Sequence, residues 1–282
     1  MFCTLVDVPT LLSESNNPDW LVVDVRHQLA DPSAGERAYG ESHLPGAAFL
    51  HLDRDLSGPV NGRNGRHPLP DPAQLAECFG RLGIIPATQV VVYDDAGGMM
   101  AGRLWWLLRW LGHDRVALLD GGFPAWRAAG HPLSQEVRSR TAVRFEARPR
   151  PRLRVDVAEV LANLDHPEFL VLDARSPDRF RGENETMDPV GGHIPGARNR
   201  FLKDNLEADG RMKSVAELRA GFAAVLGSTP PDQVVHQCGS GVSACLNMIA
   251  MEHAGLHGSR LYAGSWSEWC ADPARPMVLK TA

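Results

Sequence analysis

No apolar run in this 282-residue chain approaches the roughly 18–20 residues that a bilayer crossing needs, so no membrane span is expected. Cysteine is scarce and odd in number: five residues, widely spaced, with no Cys-x-x-Cys pair. That argues against a disulfide framework and against a structural zinc, and for reduced thiols in a cytoplasmic compartment. Neither sign of charge dominates. A net charge of −5 and a pI near 6.1 leave no electrostatic footprint for nucleic acid or an anionic membrane surface. The first residues, Met1 to Asp7, lack a basic segment followed by an apolar one, so no secretory signal is expected. With 44% hydrophobic and 22% charged residues, the chain has the make-up of a globular protein of about two domains.

The two domains are one pattern written twice. Asp24-Val25-Arg26 follows an apolar run and returns 149 residues later as Asp173-Ala174-Arg175. His43-Leu44-Pro45-Gly46-Ala47 returns after 150 residues as His193-Ile194-Pro195-Gly196-Ala197. Gly121-Gly122-Phe123-Pro124-Ala125-Trp126 returns after 143 as Gly264-Ser265-Trp266-Ser267-Glu268-Trp269. The first copy therefore carries about seven extra residues, most naturally in the Gly/Asn/Arg-rich stretch Ser57 to Arg66. The domains are expected at 1–135 and 151–282. The 136–150 join is rich in arginine and proline and reads as a solvated linker rather than an anion-binding strip.

Short, β-branched apolar runs mark strands at Leu21–Asp24, Val90–Tyr93 and Val116–Leu119, then at Leu170–Asp173, Val234–Gln237 and Arg260–Tyr262. Helical stretches such as Arg103–Leu111 and Val242–His253 lie between them. The alternation predicts an α/β fold, each half a mostly parallel central sheet flanked by helices.

Ligands of such sheets sit beyond the carboxyl ends of the strands, where loops feed helices. In the second half that place reads Gln237-Cys238-Gly239-Ser240-Gly241-Val242-Ser243. A cysteine ends the strand, two glycines bend the backbone and a helix begins at once. Inward-turned amides and a helix N-terminus favour an anion, so the loop looks built to hold a sulfur anion. At the local offset of 143 the matching residue of the first half is Asp95, a carboxylate where a packing cysteine would have an apolar counterpart. The first half then keeps the loop without a nucleophile and acts as scaffold.

Tandem halves with an Asp-x-Arg strand end, a His-x-Pro-Gly-Ala turn, a loop-to-helix site and a closing Gly-Ser-Trp-x-Glu-Trp resemble the two-domain rhodanese sulfurtransferases over essentially the whole chain. The resemblance implies that Cys238 takes sulfane sulfur from a small-molecule donor as a persulfide and passes it to a thiol, such as thioredoxin, or to cyanide. It implies no cofactor and no metal, and a silent first domain with Asp95 at the cysteine position. The loop Cys-Gly-Ser-Gly-Val-Ser is similar to the 3-mercaptopyruvate branch, whereas thiosulfate enzymes carry Arg and Lys at the places of Gly239 and Ser240. The resemblance also makes Arg179 a holder of the donor carboxylate, with Gly239, Gly241, Val242 and Ser243 around it. Ser240, His67 and Asp53 would form an Asp-His-Ser relay to the donor carbonyl. The family's second arginine has no counterpart in Asn184 to Pro189, and Arg181 is the candidate replacement. A phosphatase would need an arginine six residues after Cys238, where Ala244 stands. A thiosulfate:cyanide sulfurtransferase and a low-turnover persulfide carrier or redox sensor remain the alternatives. His253 and His257 straddle Gly255 and read as helix cap and loop. Cys245, Trp105, Trp106, Trp126 and Trp269 read as core.

Overall fold

A computed structural model describes residues 1–279; the last three residues of the expected 151–282 domain lie outside the described residues. The chain forms two compact units, each with its own five-stranded, all-parallel sheet. The first contains β1 (Leu5–Val6), β2 (Trp20–Asp24), β3 (Ala48–Phe49), β4 (Gln89–Tyr93) and β5 (Val116–Leu119), in the order β1-β5-β4-β2-β3. The second contains β6 (Arg154–Val155), β7 (Leu170–Asp173), β8 (Arg198–Asn199), β9 (Val234–Gln237) and β10 (Arg260–Tyr262), in the order β6-β10-β9-β7-β8. The topologies are identical, as a duplication requires. The fold is α/β.

Every residue of β4 and β9 is buried, as expected for parallel strands covered on both faces, and this includes the polar Gln89, His236 and Gln237. Each of these strands feeds a helix that is apolar around nearly its whole circumference, Ala101–Trp110 and Ala244–His253. The repeated motifs are mostly architectural. Asp24 and Arg26 form a buried ion pair at 2.7 Å, and Arg26 Nη2 donates to Ser42 O. Asp173 and Arg175 do the same at 2.7 Å, with Arg175 Nη2 donating to Gly192 O. His43 stacks on Tyr39 and His193 on Phe180, each with its Nδ1 2.8 Å from the carbonyl of its stacking partner. Trp105, Trp106, Trp126 and Trp269 are all core residues. Among the described residues no helix is long and apolar enough to cross a membrane.

Two features depart from the sequence reading. The first unit comprises 1–58, 70–150 and Glu207–Met212, and the second 59–69, 151–206 and the chain from Lys213 onward. The stretch Pro59–Leu69 of the first repeat, which overlaps the expected insertion, thus belongs to the second unit. The second feature is register. Asp24 pairs with Tyr93 and Asp173 with Gln237, so the residue after the central strand is Asp94 in one unit and Cys238 in the other. The carbonyls of Asp94 and Cys238 accept from equivalent amides, Phe123 and Trp266. The counterpart of Cys238 is therefore Asp94, not Asp95. The first repeat has one more residue between its fourth and fifth strands, which the offset taken from the Gly-x-x-x-x-Trp landmark could not register.

The 136–150 segment carries no helix or strand. It lies along the first unit, where Val143 N donates to Gly80 O and Arg148 N to Leu111 O. Arg140 Nη1 donates to Trp20 O at 3.0 Å, and Arg150 grips Asp114 with two bonds of 2.6 and 2.7 Å.

Candidate active site

Cys238 leaves the end of β9 and is 2% exposed. The turn that holds it is fastened to Ala263–Ser267. Cys238 N donates to Ser265 Oγ at 3.1 Å, Trp266 N to Cys238 O at 3.1 Å and Ser267 N to Gly239 O at 2.9 Å. Ser265 adopts φ +55°, the only described non-glycine residue with positive φ, and its hydroxyl also donates to Tyr262 O. Gly241 has to be glycine: its φ is +73°, and a Cβ would stand 2.1 Å from Ala263 O.

At Gly239 a Cβ would lie 2.7 Å from Arg66 Nη2, the movable end of a side chain, and 3.7 Å from Arg179 Nη2. Two guanidiniums therefore converge on the face of the residue that follows the thiol. Arg179 donates to both Glu185 oxygens, at 2.8 and 3.0 Å, and to Asp188 Oδ2 at 3.3 Å. Arg66 Nη1 donates to the other oxygen of Asp188. Glu185 and Asp188 are almost fully buried. Burial pushes the Asp188 carboxyl above its usual range in spite of both cations. Burial acts the same way on Glu185, but the bonds from Arg179 and from the Met187 and Asp188 amides outweigh it and hold that carboxyl low.

His67 Nδ1 lies 2.7 Å from Ser240 Oγ, both of them buried and both in the second unit. Asp53 is placed in the first unit, where its carboxylate faces buried His27 Nε2 at 3.8 Å. Arg181, the expected second arginine, is spent on Glu183 at 2.7 and 2.9 Å and is 55% exposed. Arg66 stands at the loop instead. No motif singled it out, since it is fixed there by folding: its amide donates to Ser267 Oγ, 201 residues away. The one available signal was its place beside His67. Val242 is buried and Ser243 partly so.

Of the other thiols, Cys3 is exposed, and Cys78, Cys245 and Cys270 are buried. Burial pushes Cys78 and Cys270 up to about 11. Cys245 is buried, with its thiol donating to Gly241 O at 3.6 Å. Among the described residues one metal-capable trio comes together, His27, His51 and Asp53. His51 already uses both nitrogens, Nδ1 accepting from the amides of Asp53 and Arg54 and Nε2 lying 2.9 Å from Pro32 O. His257 is paired with Glu252 on the surface at 2.9 Å. A cavity of about 570 Å³ in the first unit, lined by residues that include Leu11, Trp20, Leu44 and Trp126, has no cysteine or histidine in its lining.

The loop of the first unit shows what the scaffold does when the thiol is missing. The Asp94 carboxylate accepts from the amides of Ala96, Gly98, Met100 and Ala101 at 2.7–2.9 Å. This strand-to-helix turn is thus an anion cradle that the chain fills with its own carboxylate. Asp95, beside it, reaches solvent, and the surrounding protein together with the Asp94 charge holds its carboxyl above the usual range.

Comparison with known proteins agrees with this architecture. The rhodanese-like domain family matches residues 7–129 and again 156–272. A Pseudomonas aeruginosa protein named "Probable 3-mercaptopyruvate sulfurtransferase" is 50% identical over 276 residues, 97% of each chain. The thiosulfate sulfurtransferase of Bos taurus is 35% identical, covering 89% of this chain and 85% of its own. Among solved structures, SseA from Escherichia coli, described as a 3-mercaptopyruvate sulfotransferase, superposes with a TM-score of 0.81 at 28% identity, over 94% of this chain and 99% of that one. Matched by the family along both repeats, the chain belongs to the rhodanese family as a tandem of two rhodanese-like domains.

Proposed function

We propose that the protein is a sulfurtransferase that moves sulfane sulfur from 3-mercaptopyruvate, through a persulfide on Cys238, to a thiol or cyanide acceptor. The observation that carries the choice of donor is the 2.7 Å approach of His67 Nδ1 to Ser240 Oγ, two residues beyond the nucleophile. The Cys238 thiolate attacks the donor sulfur, the carbon–sulfur bond breaks, and its electron pair leaves on carbon as the enolate of pyruvate. With His67 Nδ1–H donating to Ser240 Oγ, the Ser240 hydroxyl is directed to donate to the enolate oxygen as charge builds there. A proton then completes pyruvate. An acceptor thiolate attacks the outer sulfur of the persulfide, takes it, and returns Cys238 as thiolate. Arg179 holds the donor carboxylate, and Gly239, Gly241, Val242 and Ser243 shape the surrounding loop. Asp53 enters this reading through the resemblance alone, and the pH profile of Asp53→Asn is its test.

The convergence of two guanidiniums on Gly239 favours a second reading, a thiosulfate enzyme, because that donor keeps two negative charges outside the transferred sulfur. Glu185 and Asp188 answer those cations charge for charge, which favours the singly charged donor. Measuring kcat/KM for 3-mercaptopyruvate and for thiosulfate with one acceptor separates the two. We expect mercaptopyruvate to be preferred, and a tenfold or greater preference for thiosulfate would overturn the donor while leaving the sulfurtransferase. A cytoplasmic, reducing setting is part of the proposal, in keeping with five widely spaced cysteines and no Cys-x-x-Cys pair. Thioredoxin is the type of thiol acceptor we propose.

A further inference from the structure

We propose that Arg66 is the second guanidinium that grips the donor carboxylate, and that Asp188 is the residue that positions it. This deepens the 3-mercaptopyruvate reading and rests on it. Arg66 and Arg179 belong to segments 113 residues apart, yet both reach the face of Gly239, and one buried carboxylate ties them together through its two oxygens. A carboxylate bridging two forks holds their planes in a fixed relation, which two-point recognition of a second carboxylate requires.

Two further observations point to a ligand. Arg66 Nε is buried and has no hydrogen-bond partner among the described residues. A guanidinium that only neutralised Asp188 would not have to be held with a desolvated donor unsatisfied, since such a group is costly until something accepts from it. The second observation is the missing side chain at 239. Any residue larger than glycine would push against Arg66 Nη2, so the loop beside the thiol leaves room for this cation. Arg179 gives both Nε and Nη2 to acids, and Arg66 gives Asp188 its Nη1. Between them the two arginines hold donors in reserve for an incoming anion.

The test compares wild type, Arg66→Gln and the double variant Arg66→Gln/Asp188→Asn on two donors. One is 3-mercaptopyruvate. The other is 1-sulfanylpropan-2-one, which has a methyl group in place of the carboxylate. The double variant removes both charges together, so it covers the possibility that Arg66→Gln alone fails to fold with Asp188 left unpaired. We expect either variant to raise KM for 3-mercaptopyruvate at least tenfold, with kcat changed less than threefold, and to leave kcat/KM for the carboxylate-free donor within twofold. Arg66→Lys should recover part of the loss. Calorimetric binding of pyruvate, which needs no turnover, should weaken by the same factor. Equal losses on both donors, or an unchanged KM and an unchanged pyruvate affinity, would overturn the assignment. A wild type that prefers thiosulfate would instead count against the donor reading, and pyruvate binding would still report on Arg66.

Discussion

Residue chemistry at this site turns on which atoms can carry sulfur and which can quiet an enolate. Replacing Cys238 with serine keeps size and burial but supplies an oxygen that cannot carry sulfane sulfur. We expect Cys238→Ser to abolish transfer while the unfolding midpoint stays near wild type, and residual turnover above a few per cent would remove Cys238 as nucleophile. Ser240→Ala deletes the hydroxyl that His67 aligns. Loss of such a donor in a closed site costs about 3 kcal/mol, on the order of a hundredfold. The loss should fall on kcat/KM for 3-mercaptopyruvate and far less on thiosulfate, whose leaving group is not an enolate; equal losses would show that the hydroxyl only packs. Cys238, Ser240 and Arg179 could be picked out in the sequence because each sits in a local pattern. Arg66 could not, because what distinguishes it is Asp188, 122 residues away, and Gly239, farther still.

Strand-to-helix turns show how one scaffold can present a cysteine in one unit and a filled anion cradle in the other. The six longer strands could be read from their short apolar runs, β-branched in all but β10, whereas β1, β3, β6 and β8 are two residues each, too short for any period to register. The same limit produced the one-residue error at Asp95, since register is set by pairing across the sheet and not by distance along the chain. Two substitutions test the turns. Asp94→Ala leaves four amides without their acceptor in a fully buried place and should cost about 3 kcal/mol of stability. Chemical denaturation should show that cost while kcat/KM stays within twofold; a hundredfold fall in kcat with normal stability would mean the first loop takes part in the reaction. Gly241→Ala must bring a Cβ against Ala263 O at positive φ, so it should cost about 2 kcal/mol or more and slow Cys238 alkylation or turnover along with it.

At the scale of the whole molecule, segments of one repeat are built into the unit of the other. Pro59–Leu69 brings Arg66 and His67 into the second unit, and Glu207–Met212 joins the first, where Met212 N donates to Asp120 Oδ1 at 2.8 Å. On the proposed reading, donor preference is written in two distant stretches of sequence that have to change together. Exchanging Gly239-Ser240 for the Arg-Lys of a thiosulfate loop looks from the sequence like a sufficient switch. In the structure, a side chain at 239 grows from a point 2.7 Å from Arg66 Nη2, and a third cation there meets two already in place. The arginine at 239 can then be accommodated only if Arg66 swings away from Asp188, and the lysine removes the hydroxyl that His67 aligns. We expect Gly239→Arg/Ser240→Lys to fall below wild type on both donors. Adding Arg66→Ala should clear the space and the like charge, leaving Asp188 to hold the new arginine, and should raise thiosulfate kcat/KM at least tenfold over the double variant. If the double variant already prefers thiosulfate with full turnover, Arg66 does not govern that face of the loop.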